Sequence, residues 1–513
     1  MRIFMKIITA MVLVSMGTIW GQEPMIEKDS YDILIKHGTI IDGTGAAGFK
    51  ADILIVGEEI VLIGEVDTSS FTAKTIIDAT DRVVTPGFID NHAHGDPLKT
   101  PEFKNFSGMG VTTIFLGQDG ASSKNIAEWM SKVDAIETAI NIGSYVGHGT
   151  IRNQAGVKLD PKPSYWDRRK MATLVDEALE AGCYGLSTGL EYQPGSFSKL
   201  NELIAIAKPV GKRGGVISSH TRNEDDEVVQ NSIAELIQQG RGGGCAVNIS
   251  HLKVVYGHGA TRAEEILNQM EQARRKGISI TADMYPYQAS YTGIEIVFPD
   301  WAKPPNNYDD VVSARREELA AYLRKRIQKR NGPEATLFGT APWAGKTLAQ
   351  VASELGKPFE DVLIDDIGPR GASGAYFVMD QELQDRLFVD PFIMAGSDGS
   401  PTMRHPRGYG SFAKVIRYYV NEKELLKLEE AVYKMSGLPA KTVGLIEQKR
   451  GLLRAGFAAD ILVFDPAEIL DVATFENPHE IARGFEWVIV NGGIVRSEGE
   501  FTGQRSGKML RKP

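Results

Sequence analysis

The chain has 513 residues, 42% hydrophobic and 24% charged, the make-up of a globular protein of two or three domains and not of a mainly disordered chain. Its 57 Lys and Arg against 66 Asp and Glu leave a net charge of −9, which excludes nucleic-acid binding through a basic surface. The two cysteines, Cys183 and Cys245, form no CxxC and exclude both a disulfide framework and a cysteine-rich zinc site.

Taken in chain order, Met1-Arg2-Ile3-Phe4-Met5-Lys6 is a short basic start, and 7–20 is nearly uncharged and mostly apolar. That run is too short for a spanning helix of ~20 residues. Residues 1–21 therefore read as a cleaved signal peptide. The expectation is export to a bacterial periplasm or exterior, with no membrane attachment afterwards. Residues 22–85 hold short strand-like runs at 31–35, 39–45 and 51–56, and residues 440–513 have the same texture at 459–466 and 487–492. Short strands bounded by Gly, Asp and Asn predict an all-β unit, and the two stretches together predict one small β-sandwich built from both chain ends.

Residues 86–439 alternate apolar runs with helical patterns. Eight runs, at 83–94, 110–120, 141–152, 183–190, 215–222, 245–253, 278–287 and 391–400, predict an α/β fold, a (β/α)8 TIM barrel. Between them Met171, Leu174, Val175, Ala178 and Leu179 form one apolar stripe, predicting a helix over 170–182. Thr261 and Glu264 have the spacing of a capping box for a helix over 260–277. The stretch 290–390 is too long for a crossover between strands 7 and 8 and reads as an insertion over the barrel mouth.

His92, His94, His148, His220 and His251 fall at or near the C-terminal ends of predicted strands, and Asp398 ends the eighth. Strand C-termini of a barrel converge on the face that holds its active site. His92 and His94, two apart on a strand, point to the same side and can share one ion. His220 and His251 offer two more nitrogens. Imidazoles and carboxylates suit Zn2+, which activates water and polarises a carbonyl. Asp398 is placed to take a proton from that water and pass it to a leaving amine. The logic is metal-assisted hydrolysis. Of the remaining histidines, His37 and His479 read as solvent-facing, His258 as a loop residue, and His405 as a brace for the loop that carries Arg407. Lys253 is placed to face the same cavity.

A set of motifs sharpens this. Pro86-Gly87-Phe88-Ile89-Asp90-x-His92-x-His94, Gly147-His148-Gly149-Thr150-x-Arg152 and Gly185-Leu186-Ser187-Thr188-Gly189-Leu190 are followed by His220-x-Arg222, Ser250-His251-x-Lys253 and Tyr285-Pro286-Tyr287. Gly396-Ser397-Asp398-Gly399 and His405-Pro406-Arg407 complete it. With these the chain resembles the amidohydrolase superfamily, and within it the D-aminoacylase (N-acyl-D-amino-acid deacylase) family, from about residue 30 to the C-terminus. The resemblance implies that His92, His94, His220 and His251 bind zinc and that Asp398 is the acid/base. It also implies that Tyr285 and Arg407 hold the substrate carboxylate, with His148 near the pocket wall.

Two departures stand out. The family's zinc-binding cysteine after the second strand is replaced at a position that reads as Asp119, with Glu191 a second carboxylate candidate, so one or two ions remain alternatives. Tyr291 stands where relatives can place a serine at the carboxylate. The expected function is zinc-dependent hydrolysis of a small-molecule N-acyl amino acid, of D configuration. The alternatives are a dipeptidase, a cyclic-amide hydrolase of the hydantoinase or dihydroorotase kind, or a binding protein on an inactive barrel. Oligomeric state stays open.

Overall fold

The computed structural model describes residues 30–67 and 72–513; the signal peptide expected at 1–21 lies outside them. An eight-stranded parallel sheet runs through Phe88–Asp90, Val111–Leu116, Asn141–Gly147, Gly185–Gly189, Val216–His220, Ala246–Ile249, Ile280–Met284 and Ile393–Ala395, each strand paired to the next in sequence. The first and last strands meet just beyond their ends. Asp398 N donates to His92 O at 2.8 Å, and His94 N donates to Gly399 O at 2.8 Å. The barrel thus closes through the residues singled out for chemistry.

The strand expected at 83–94 is two strands. Val83–Pro86 belongs to a different sheet, where it pairs antiparallel with Ile461–Phe464 and parallel with Ser30–Ile40. The chain crosses into the barrel at Gly87, where a Cβ would lie 2.1 Å from Thr112 Oγ1; only glycine fits that crossing. Strands from both chain ends therefore share one nine-stranded sheet. Its apolar core includes Ile33, Ile55, Val84, Ile461 and Ile489, all buried.

Helix ends differ from expectation where capping decides them. The helix expected at 170–182 spans Tyr165–Glu180, because Ser164 and Asp167 form a reciprocal capping box ahead of it. The box expected at Thr261 is absent. That helix starts at Gly259 behind His258, and Glu264 instead accepts from Arg386 Nε at 2.5 Å. The insertion carries its own three-stranded antiparallel sheet, Ala289–Gly293, Ser373–Phe377 and Thr336–Phe338, and the helix Tyr308–Lys329 capped by Asn307. Leu319, Leu323, Phe338, Leu363 and Tyr376 give it a separate core. Among the described residues no helix is long and apolar enough to cross a membrane.

Candidate metal centre and substrate cavity

Strand ends bring four histidines around one carboxylate. His92 and His94 follow the first barrel strand, His220 ends the fifth, and His251 lies two residues past the sixth. Asp119 enters from the loop after the second. Its Oδ1 is 3.5 Å from His92 Nε2, 3.5 Å from His251 Nε2 and 3.7 Å from His220 Nδ1, while Oδ2 is 3.4 Å from His94 Nε2. The backbone is bent to achieve this. Asp119, His251 and Asp398 have φ of 53°, 37° and 47°, a region that residues with a Cβ seldom occupy away from functional sites. Gly189 backs the Asp119 loop so closely that a Cβ there would sit 2.1 Å from Asp119 O.

The cluster is unsatisfied as protein alone. Both ring nitrogens of His92 and Oδ1 of Asp119 are buried without a hydrogen-bond partner, and His220 Nδ1 faces His251 Nε2 at 2.8 Å. Each orphaned buried polar group costs ~1–3 kcal/mol, a cost that a bound cation removes. Two sets of close-lying donors meet at Asp119: His92, His94, Asp119 and Asp398 in one, Asp119, His220 and His251 in the other. Nitrogen and carboxylate donors at this spacing fit zinc.

Glu191 lies elsewhere. It is 3.0 Å from His220 Nε2, the nitrogen turned away from Asp119, and groups with His220 and Glu224 in a third set. Glu224 plays the same part behind His251, 3.2 Å from its Nδ1, and accepts from Lys253 Nζ at 2.7 Å. Asp283 stands 3.5 Å from His92 Nδ1. A carboxylate thus lies behind each of three imidazoles.

These groups open on a cavity of about 230 Å3, lined also by Tyr192, Tyr285, Tyr291 and Arg407. Arg407 Nη1 is 2.9 Å from Asp398 Oδ2, and its guanidinium lies 4.6 Å from the centre of the Tyr285 ring. The Tyr285 hydroxyl and Arg407 Nε are buried and unpartnered. Burial opposes the charge on Asp398, but the Arg407 guanidinium and the imidazoles outweigh it and hold the carboxyl well below the usual carboxylate range. Burial likewise opposes a charged His94, yet Asp119 and Asp398 push its pKa up to about 10. His405 holds Arg407 in place: its Nδ1 accepts from Arg407 N at 3.0 Å, and its Nε2 lies 3.0 Å from Ala289 O. The Tyr291 hydroxyl lies 2.9 Å from Ser373 Oγ.

The expectation for His148 is corrected. It opens the helix His148–Ala155, turns into the protein away from the cavity, and sits 2.8 Å from Glu202 Oε1, where Arg152 also donates at 2.7 Å. His37, His258 and His479 are exposed. Sequence reading missed Glu224 and Tyr192. Glu224 sits in the polar run Asn223-Glu224-Asp225-Asp226-Glu227, where nothing separates it from solvated acids. Tyr192 directly follows Glu191, and its ring lies 4.5 Å from that of His220.

Comparison with known proteins supplies relatives for this arrangement. Residues 75–283 and 385–496 match the model of the Amidohydrolase family. The chain is 33% identical to the N-acyl-D-glutamate deacylase of Alcaligenes xylosoxydans xylosoxydans, over 94% of this chain and 97% of that one. It is equally 33% identical to the D-aminoacylase of the same organism, over 95% and 99%. The crystal structure of N-acyl-D-glutamate deacylase from Bordetella bronchiseptica, complexed with zinc and a phosphonate mimic of the tetrahedral intermediate, superposes with a TM-score of 0.81 at 31% identity, covering 94% of this chain and 100% of that one.

Proposed function

The chain belongs to the amidohydrolase family, and from that premise we propose that it hydrolyses the amide bond of N-acyl-D-amino acids to a carboxylate and a free amino acid. The convergence of four imidazoles on Asp119, beside an Asp398–Arg407 pair in one cavity, carries this reading. His92, His94, Asp119, His220 and His251 would hold one or two zinc ions. Bound zinc supplies Lewis acidity, which polarises the scissile carbonyl and makes water nucleophilic near neutral pH.

The chain's own residues do the rest. Arg407 presents a guanidinium fork, the natural bidentate partner of a carboxylate, with the unpartnered Tyr285 hydroxyl beside it to donate a further hydrogen bond. Asp398, ionised at rest, takes the proton of the attacking water and delivers it to the departing nitrogen. Because Arg407 also grips Asp398, a substrate carboxylate that claims the guanidinium loosens its hold on the base. Arrival of the right ligand is thereby coupled to activation. The leader-like residues 1–21 support an exported enzyme.

A hydrolysis screen of matched N-acetyl-D-amino acids, N-acetyl-L-amino acids and dipeptides on metal-analysed protein tests the reading. Turnover of the D series is expected; activity confined to cyclic amides would overturn it.

A further inference from the structure

A second cavity, of about 530 Å3, opens where the insertion, the barrel and the segment 471–476 meet, and it shares no lining residue with the metal cavity. Its size falls in the ~300–1,000 Å3 range of small-molecule sites. We propose that it binds a small monocarboxylate with an apolar body, an aliphatic or aromatic acid or an apolar amino acid, beside the Lys414 ammonium.

An uncompensated cation carries this. Lys414 ends the helix Arg407–Lys414, and its Nζ stands 4.1 Å from the centre of the Tyr287 ring. Among the described residues it has no carboxylate at ion-pair distance. Burial draws its pKa below the ordinary lysine range, Arg417 adds to the fall, and the more distant Asp471, Glu422 and Asp385 do not make up the difference. The other polar side chains of the wall are engaged or turned away. Arg417 is bridged to both Asp471 and Glu422, which also occupies Asp471. The Thr347 hydroxyl accepts from Gln350 N at 3.2 Å, and that of Thr474 accepts from Asn477 N at 3.1 Å. The Tyr287 hydroxyl is buried against Gly410, where a Cβ would lie 2.6 Å from it. Glu476 is exposed.

The remaining wall fits the other end of such a ligand. Phe475 packs on Phe377 with ring centres 4.7 Å apart and reaches the Tyr287 ring at 6.5 Å, and Leu337, Pro406 and Ala473 add aliphatic surface. Ring and aliphatic carbon suit an alkyl chain or a phenyl group. One unpaired ammonium matches one negative charge. A dianion such as phosphate would bring its second charge near Asp471 and Glu476, which is unfavourable. The site backs onto the substrate cavity through a single layer of side chains, since the Phe475 ring lies 4.9 Å from that of His405, the residue that holds Arg407.

The test is calorimetric titration of the metal-loaded full chain with hexanoate, phenylacetate, D-leucine and inorganic phosphate. Arg407 in the metal cavity also attracts carboxylates, so binding is assigned by comparing the wild type with variants of equal metal content. Lys414→Met should weaken hexanoate or phenylacetate at this site by at least about tenfold, the loss of one charge-assisted hydrogen bond. Ala473→Leu fills the cavity without touching its charges and should weaken them as well. A larger Lys414-dependent affinity for hexanoate than for D-leucine assigns the site to a carboxylic acid, and the reverse assigns it to a free amino acid. Binding that is absent, or unchanged in both variants, would overturn the site. Phosphate bound as tightly as hexanoate, with the same dependence on Lys414, would overturn the monocarboxylate chemistry.

Discussion

Asp398 and Asp119 are both buried aspartates at the mouth of the barrel, yet their surroundings give them different work. Asp398 is tied to Arg407 and follows the last strand, where its backbone N–H donates to His92 O beyond the first. Asp398→Asn keeps shape but cannot carry a proton. It should keep most of its metal by elemental analysis while kcat falls ~10²–10⁴-fold; an active Asn variant would refute the proton-shuttle role. Asp119 faces four imidazoles, whereas Glu191 faces only the outer nitrogen of His220. Asp119→Ala should therefore lose an ion outright. Glu191→Gln should keep the stoichiometry but bind more weakly, by ~10–100-fold in a chelator titration. The histidines were legible because strand ends and the HxH spacing mark them. Glu224 was not, because its role comes from a contact with Lys253 across two loops, and no local pattern encodes that.

At the scale of elements, short, largely apolar runs bounded by glycine located every barrel strand, since a strand buried on both faces carries few charged residues. Boundaries were less legible. They depend on caps and crossings such as Ser164 and Gly87, where one hydrogen bond or one missing Cβ decides. The helix Leu428–Met435 shows what local pattern hides altogether. Its Lys434 is buried, with the ammonium bonded to the carbonyls of Asp390 and Ile393, the latter at 3.0 Å. Burial pulls its pKa down to about 7. Between that value and the ordinary lysine range, near 10.5, the unfolded chain binds the extra proton, so this residue makes stability rise with pH across that window, by up to ~1.4 kcal/mol per pH unit. Below about 7 the destabilisation is at its full extent. Lys434→Met should flatten the slope in urea melts run from pH 7 to 9. An identical slope in both proteins would show the ammonium to be well solvated.

Across the whole molecule, the ends of the chain are bound to the barrel through a buried polar junction. Asp460 accepts from Arg450 Nη1 at 2.7 Å, Asn141 Nδ2 at 3.1 Å and Asn491 N at 2.8 Å. Asn141 belongs to the third barrel strand, so one carboxylate ties barrel to end sheet. Asp460→Ala leaves the part-buried Arg450 and the buried Asn141 without this partner, and should cost ~1–3 kcal/mol in chemical denaturation; no measurable loss would mean that water replaces the carboxylate readily. The joining of the two ends was legible in their shared texture. The junction was not, because Asn141 lies 319 residues from Asp460 along the chain.

One feature of the barrel has a functional cost. Its last seam is stitched by backbone bonds at His92, His94, Asp398 and Gly399, so the place where the cylinder zips shut is also where the reactive groups are spaced. Any loosening of that zip would pull Asp398 away from the imidazoles. Heating should therefore silence the enzyme at temperatures where its helices still stand.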